Sequence, residues 1–321
     1  MPKKALIIGV TGQDGAYLSR HLLDNGYEVH GTSRDAELAS KSGLTRLGIE
    51  RKIKLHSVML SDFRSVLQTM LNVEPDEIYN LGGQSSVGLS FTQPVETLQG
   101  IALGTINILE VIRFHGMKSR FYNAGSSECF GDTGTEAASE GTPFKPRSPY
   151  AVAKSTAFWE VANYRDAYGV FAVSGILFNH ESPLRPERFV TRKIIKAACA
   201  ASKGSKEPLR LGNLKVSRDW GWAPEYVVAM HKLLQLDQPT DIVIGTGHSI
   251  TLEEFVQKAF AFVGLDYRKY LQVDSSLFRP SDIMHSQANP AKAKKILGWE
   301  AAFTSDDVIR MLMEEELKSK K

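Results

Sequence analysis

The sequence predicts an α/β chain: a doubly wound parallel sheet followed by a smaller C-terminal lobe. Three observations predict it. An apolar run at residues 5–8 ends in Gly9-Val10-Thr11-Gly12-Gln13-Asp14-Gly15 and opens into a helical pattern. Short apolar strands then alternate with amphipathic helices to about residue 180, the pattern of a parallel sheet covered on both faces. Beyond that point the alternation loosens, as expected of a lobe that covers a site rather than extends the sheet.

In chain order, strands are expected at residues 5–8, 28–31, 77–81, 121–124 and 172–177, with helices at 16–25, 63–71, 104–114 and 151–168. After the segment Glu181-Ser182-Pro183-Leu184-Arg185-Pro186-Glu187, a helix is expected at 193–203, a loop at 212–222, and a helix near 224–236 that returns to the sheet. The implied division is a sheet domain of residues 1–180 with 216–246, and a lobe of residues 181–215 with 247–321. Residues 318–321 read as a solvated end.

Composition narrows the function classes. With 321 residues and 42% hydrophobic content the chain can bury a large core, and a net charge of +3 with interspersed signs gives no nucleic-acid footprint. Cys129 and Cys199 have no CxxC or histidine companion, which argues against a metal site and a disulfide framework and fits a reducing cytoplasm. The first strand begins within about five residues of Met1, leaving no room for a signal peptide. No apolar stretch approaches the ~18 residues needed to span a bilayer.

The chemistry begins at the glycines. A strand ending in Gly9, Gly12 and Gly15 before a helix leaves backbone N–H groups bare at a positive helix end, where a dinucleotide pyrophosphate can sit; the same turn also serves without a ligand. About 20 residues on, where NAD-preferring folds of this Rossmann-like kind place an acid, stand Ser33 and Arg34. A guanidinium suits a 2′-phosphate and favours NADP, with Asp35 as the competing reading. Tyr150 and Lys154 lie one helical turn apart and face the same way. A tyrosine of ordinary pKa ~10 works as a base near neutrality only if its phenolate is stabilised by about 4 kcal/mol, which a lysine and an oxidised nicotinamide can supply. Helices show Tyr-x-x-x-Lys by chance, but Ser126, in Gly125-Ser126-Ser127-Glu128 just beyond a strand end, raises the pair to a candidate site.

These residues resemble the extended short-chain dehydrogenase/reductase superfamily. Within it, Arg147-Ser148-Pro149-Tyr150-Ala151-Val152-Ala153-Lys154, Gly175-Ile176-Leu177-Phe178-Asn179-His180-Glu181-Ser182-Pro183, Phe189-Val190-Thr191-Arg192-Lys193, Arg218-Asp219-Trp220-Gly221 and Phe278-Arg279-Pro280-Ser281-Asp282 are similar to the GDP-mannose 4,6-dehydratase family along essentially the whole chain. The resemblance implies a catalytic set of Ser126, Glu128, Tyr150 and Lys154. It implies NADP contacts at Gly9, Thr11, Gly12, Gln13, Asp14, Gly15, Arg34, Leu60, Leu81, Gln84, Ser85, Tyr150, Lys154, His180 and Arg185, and no metal. It further implies contacts to a GDP-linked mannose-type sugar at Ser127, Asn179, Lys193, Gly212, Arg218 and Arg279, and a homo-oligomer, dimer or tetramer. Three places depart from the family: Met59-Leu60 stands where an Asp-Leu pair is usual, Gly82-Gly83 and Ser86 replace Ala and His, and residues 35–51 follow the pattern poorly.

The chemistry says why each catalytic residue is needed. Tyr150 would take the O4 proton as C4 is oxidised, and Ser126 would hydrogen-bond the developing oxygen charge. The ketone acidifies C5–H, so Glu128 can act as base there and then as acid to the departing C6 hydroxyl. Glu128 could otherwise be a loop carboxylate capping a backbone group. A 4-epimerase or 4-keto reductase would share Tyr150 and Lys154, and an epimerase needs no base at C5. A non-catalytic dinucleotide sensor commonly lacks both the tyrosine and the lysine. A GDP-manno-heptose substrate is a further alternative.

Overall fold

The computed structural model describes residues 1–318. Seven strands form one all-parallel sheet: β1 (Lys4–Ile8), β2 (Glu28–Ser33), β3 (Lys54–Ser57), β4 (Glu77–Asn80), β5 (Arg120–Ser126), β6 (Ala172–Leu177) and, arriving late in the chain, Ile242–Ile244. Their spatial order, starting from Ile242–Ile244, is then β6-β5-β4-β1-β2-β3. The chain runs outward from β1 to β3 and then crosses back to β4. That reversal between β1 and β4 opens a crevice at the carboxyl ends of the strands, where ligands bind in such sheets.

Both faces are covered, and alternation within β1 decides which residue serves which face. Ala5 and Ile7 pack with α1 (Gln13–Asp24) and with a later helix, Ala223–Leu234, whereas Leu6 and Ile8 pack with the cluster around Val66, Met70, Ile108 and Ile112. Those four lie on two helices of the opposite face, Phe63–Val73 and Gly104–Phe114. In chain order the helices after α1 are α2 (Ser42–Arg46), α3 (Phe63–Val73), α4 (Val87–Ser90), α5 (Pro94–Leu98), α6 (Gly104–Phe114), α7 (Pro149–Tyr168), α8 (Val190–Ser202), α9 (Ala223–Leu234), α10 (Leu252–Phe262), α11 (Ala291–Leu297) and α12 (Ser305–Lys318).

A second core lies beside the sheet, formed by Ile194, Ile195, Trp220, Phe255, Phe260, Leu312 and their neighbours from α8, α10 and α12. The later strands are β7 (Asn179–Glu181), β8 (Leu209–Leu211), β9 (Ser217–Trp222), β11 (Ser249–Thr251), β12 (Leu271–Val273) and β13 (His285–Ser286), outside the main sheet, with β10 (Ile242–Ile244) as the main sheet's seventh strand. β9 pairs with β7, β11 and β13, and β8 pairs with β12.

Several sequence expectations are corrected. Residues 217–222, expected within a loop, form β9. β3, β7, β8, β10, β11, β12 and β13 are not among the expected strands. β2 runs on to Ser33 and β5 to Ser126, so the candidate serine closes its strand rather than following it. Residues Pro94–Phe114 form one helical run of 21 residues whose most apolar 18-residue window has mean hydropathy 1.3, long and apolar enough by length and composition to cross a membrane, contrary to the expectation that no stretch approaches that length. Its most apolar window is 56% buried in the fold, the setting of a core helix. Of the expected solvated end, Lys318 closes α12 and residues 319–321 lie outside the described residues.

Candidate active site

Local structure delivers the four candidate catalytic side chains to one cleft of about 410 Å³. Ser126 ends β5, and its Oγ accepts from the Glu128 backbone N–H at 3.3 Å, turning the chain into a short 3-10 turn, Ser127–Phe130. Ser148 caps α7 by accepting from Ala151 N–H at 3.1 Å, and Pro149 occupies the first turn, where its missing N–H costs nothing. The cap places Tyr150 in the first turn and Lys154 one turn later, both 8% exposed. Ser126 and Ser127 are buried as well, and Glu128 is half-buried.

Burial sets the protonation states. It is the largest influence on the Tyr150 phenol and pushes it well above its ordinary range, with the Ser126 hydroxyl acting in the opposite direction. Burial also pulls the Lys154 ammonium down to about 8, partly offset by the nearby Cys129 and Asp14. Lys154 Nζ lies 5.9 Å from the Tyr150 ring centroid and donates to the Ala124 carbonyl at 2.8 Å. The lysine is therefore held by the end of β5 itself, and its orientation does not depend on the tyrosine.

The glycine segment forms a cradle. Gly9 has φ +81°, and a Cβ there would lie 3.1 Å from the Leu81 carbonyl oxygen; at Gly15 a Cβ would lie 2.5 Å from the Gly9 carbonyl oxygen. Only glycine fits either position without displacing backbone. Gly12 caps α1 with no side-chain hydrogen bond, so the N–H groups of the first turn, from Gln13 onward, have no side-chain cap. An uncapped N-terminus of a 12-residue helix at the sheet's switch point fits a dinucleotide pyrophosphate.

Other expected cofactor residues divide into those that line the cleft and those that support it. Asp14, Leu81, Ser85, His180 and Arg185 line it. His180 donates through Nδ1 to the Phe178 carbonyl at 2.7 Å and through Nε2 to Asp14 Oδ2 at 2.9 Å. Burial opposes the histidine's charge, but the adjacent carboxylate prevails and raises its pKa; the same pairing overcomes burial at Asp14 and holds it down at about 2. Arg185 lies over the Phe189 ring at 3.8 Å and 3.5 Å from Glu181 Oε2. The Gln13 side chain is turned away from the cleft, donating to Asp14 and the His180 carbonyl and accepting from Ser182 Oγ at 2.8 Å. Leu60 packs beneath Gly82 and Gly104, and Gln84 accepts from Ser86 N–H. Arg34 is exposed just past the end of β2.

On the opposite side, Ser127, Asn179, Lys193, Gly212, Arg218 and Arg279 all line the same cleft. Lys193 is exposed, and Arg279 stands 3.9 Å from Asp282 Oδ1. Arg218 differs: it is 7% exposed, its Nη1 donates to the carbonyls of Ser217 (2.9 Å) and Ile283 (2.8 Å), and among the described residues no carboxylate lies within 4.0 Å of it. Burial accordingly lowers its pKa. A buried guanidinium held only by carbonyls is prepared for an anion.

The profile of the GDP-mannose 4,6 dehydratase family matches residues 6–312. The chain belongs to that family. A GDP-mannose 4,6 dehydratase of Arabidopsis thaliana is 43% identical over 99% of this chain and 88% of its own length. The GDP-mannose 4,6-dehydratase of Yersinia enterocolitica is 39% identical over 99% of this chain and 95% of its own. Among solved structures, the Thermus thermophilus UDP-glucose 4-epimerase with NAD superposes at TM-score 0.86 with 23% identity, covering 99% of this chain and all of that one. The Bacillus anthracis dTDP-glucose 4,6-dehydratase with NAD gives 0.84 with 17% identity, covering 99% and 97%. At those identities the structures show the shared fold.

The cleft of this dehydratase-family chain also contains charged residues that the sequence did not single out. Arg188 and Arg210 both line it and both are exposed. Neither belongs to a motif, so no spacing signalled them.

Proposed function

We propose that this chain dehydrates GDP-mannose to GDP-4-keto-6-deoxymannose, with NADP bound throughout and the C4 hydrogen returned to C6 of the same sugar. The observation that carries the reading is Glu128: a half-buried carboxylate in the same cleft as Ser126, Tyr150 and Lys154, where a 4-epimerase would have no use for a base. Tyr150, as the phenolate that Lys154 stabilises, takes the O4 proton and becomes the neutral phenol, and Ser126 donates a hydrogen bond to O4 as its charge grows. Glu128 removes the C5 proton and passes it to the C6 hydroxyl, which leaves as water; when the hydride returns to C6, the proton that Tyr150 took from O4 goes back to the sugar at C5. Bound NADP supplies the hydride acceptor at C4 and, once reduced, the hydride donor at C6.

NADP over NAD is supported by the two residues that competed for the ribose. Asp35 Oδ1 accepts from the backbone N–H groups of Glu37 and Leu38, each at 2.9 Å, so its carboxylate caps its own turn. Arg34 stays exposed for a 2′-phosphate. In this reading residues 1–180 with 216–246 hold the cofactor and residues 181–215 with 247–321 hold the nucleotide sugar. Arg218, with Lys193 and Arg279 on two other segments, grips the diphosphate. A second copy of the chain covers the exposed apolar stripe of Val95, Leu98 and Leu103 with Val152 and Trp159 on the neighbouring helix α7. The reading also places the enzyme in a reducing cytoplasm.

Mass spectrometry of the product after incubation with GDP-mannose, and in parallel with its heptose homologue, tests the assignment. Loss of one water from GDP-mannose without accumulation of free NADPH is the expected result. An isomer of unchanged mass would turn the assignment to an epimerase, and turnover of the heptose alone would turn it to the larger sugar.

A further inference from the structure

Arg210 occupies the middle of β8, between Leu209 and Leu211, which are buried in the second core. Strand alternation sends its side chain to the opposite face, where it is exposed and lines the cleft. Apolar residues line the cleft with it: Val216, Leu252 and Leu277. Backbone also closes in here, since a Cβ on Gly212 would lie 2.9 Å from the Leu277 carbonyl oxygen.

The other polar groups nearby are already committed. Asn213 accepts from Lys215 N–H at 3.0 Å and donates to Met284 Sδ at 3.5 Å. Asp274, whose carboxyl feels the Arg210 charge, accepts from both the Ser276 N–H at 2.9 Å and its hydroxyl at 2.6 Å. Among the described residues Arg210 has no carboxylate within 4.0 Å and its guanidinium donates no side-chain hydrogen bond. The result is an apolar slot with one uncommitted five-donor fork at its edge.

We propose that Arg210 reads the base of the nucleotide sugar, donating its planar fork to O6 and N7 of a guanine held in the apolar slot. Guanine presents two adjacent acceptors that match the fork. Adenine places an N6 amino donor where O6 would be, and a pyrimidine has neither group. The proposal rests on the GDP-sugar reading and adds the residue that chooses the base. It separates this role from Arg218 and Arg279, whose target is the diphosphate shared by all such nucleotides.

Calorimetry with GDP, ADP and 7-deaza-GDP on the NADP-loaded protein, the Arg210→Ala variant and the Arg210→Lys variant tests it. In the unaltered protein GDP is expected to bind at least about tenfold more tightly than ADP, and 7-deaza-GDP, which lacks one acceptor, about five- to tenfold more weakly than GDP. In Arg210→Ala the three constants should converge to within about threefold, and Arg210→Lys, which keeps charge but not the fork, should retain little of the preference. A preference preserved in both variants overturns the role of Arg210 while leaving the GDP-sugar reading intact. An unaltered protein that does not distinguish GDP from ADP contradicts that reading itself. Equal binding of GDP and 7-deaza-GDP to the unaltered protein overturns the fork geometry without any variant.

Discussion

The two ends of the cleft are built on different principles. At the proton-transfer end, Ser126, Tyr150 and Lys154 are all 8% exposed, come from the end of one strand and the first turns of one helix, and are fixed by a cap and a backbone carbonyl. At the end proposed to hold the anion, Lys193 and Arg279 are exposed and, with the buried Arg218, arrive from three separate segments. The contrast follows from what each end must do. In the proposed reaction, moving a proton needs fixed neighbours, because burial alone raises the Tyr150 phenol and the Lys154 held by the Ala124 carbonyl must work against it; gripping a diphosphate needs only charge within reach, and exposed side chains can close on it. The proton-transfer end should therefore fail in kcat, and the anion end in binding.

Tyr150→Phe makes the sharpest break. In the proposed reaction Tyr150 takes the O4 proton, so turnover should fall by about 10⁴ or more, and no reduced-nicotinamide absorbance should develop when substrate is added. Glu128→Gln comes next: water loss should fall by about 10²–10⁴, while the absorbance of bound reduced cofactor still rises, because oxidation at C4 precedes the step that needs the carboxylate. If both variants lose that absorbance equally, Glu128 acts earlier than C5.

The anion end should show smaller effects, graded by burial. Arg218→Ala should raise the dissociation constant for GDP by about ten- to a hundredfold and also lower thermal stability, since two carbonyls lose their donor. Arg279→Ala, at an exposed position beside Asp282, should weaken GDP by less than Arg218→Ala and leave stability nearly unchanged. Unchanged GDP affinity with lowered stability in Arg218→Ala would make that arginine structural.

The mildest test is pH. The Lys154 ammonium, pulled down to about 8, is present below that value and lost above it, so kcat should hold up to about pH 8 and then decline. Its effect on stability has the opposite sign. Between about 8 and the ordinary lysine value of 10.5 the unfolded chain carries a proton that the folded chain lacks, so this group's contribution to stability grows as pH rises. A flat kcat profile through pH 9 would remove Lys154 from the proton-transfer end.

The same contrast explains what could be read from sequence. The inner strands of the main sheet and the helices that bear Tyr150 and Lys154 announce themselves through local periodicity and a strand-end motif, because the forces that form them act over a few residues. β3 does not: Lys54-Leu55-His56-Ser57 is polar and pairs only along one edge, with β2, so no apolar alternation marks it. β9 hides for another reason. Its Arg218 and Asp219 read as loop residues, yet both are buried, and the Asp219 carboxylate accepts from Thr246 N–H, Thr246 Oγ1 and Gly247 N–H, groups 27 and 28 residues away. Arg210 and Arg188 carry no motif, and only the folded chain brings them to the cleft. That the Asp35 carboxylate caps its own turn is likewise invisible in the sequence, and it supports the proposed preference for Arg34 without deciding it.

The central claim is that one hydrogen is borrowed from C4 and returned to C6 of the same molecule. Incubation with GDP-mannose carrying deuterium at C4, followed by mass spectrometry and NMR of the product, tests it directly. The account predicts a product that has lost one water and carries the deuterium at C6. A dehydrated product without the label, or label accumulating in free NADPH, would contradict it.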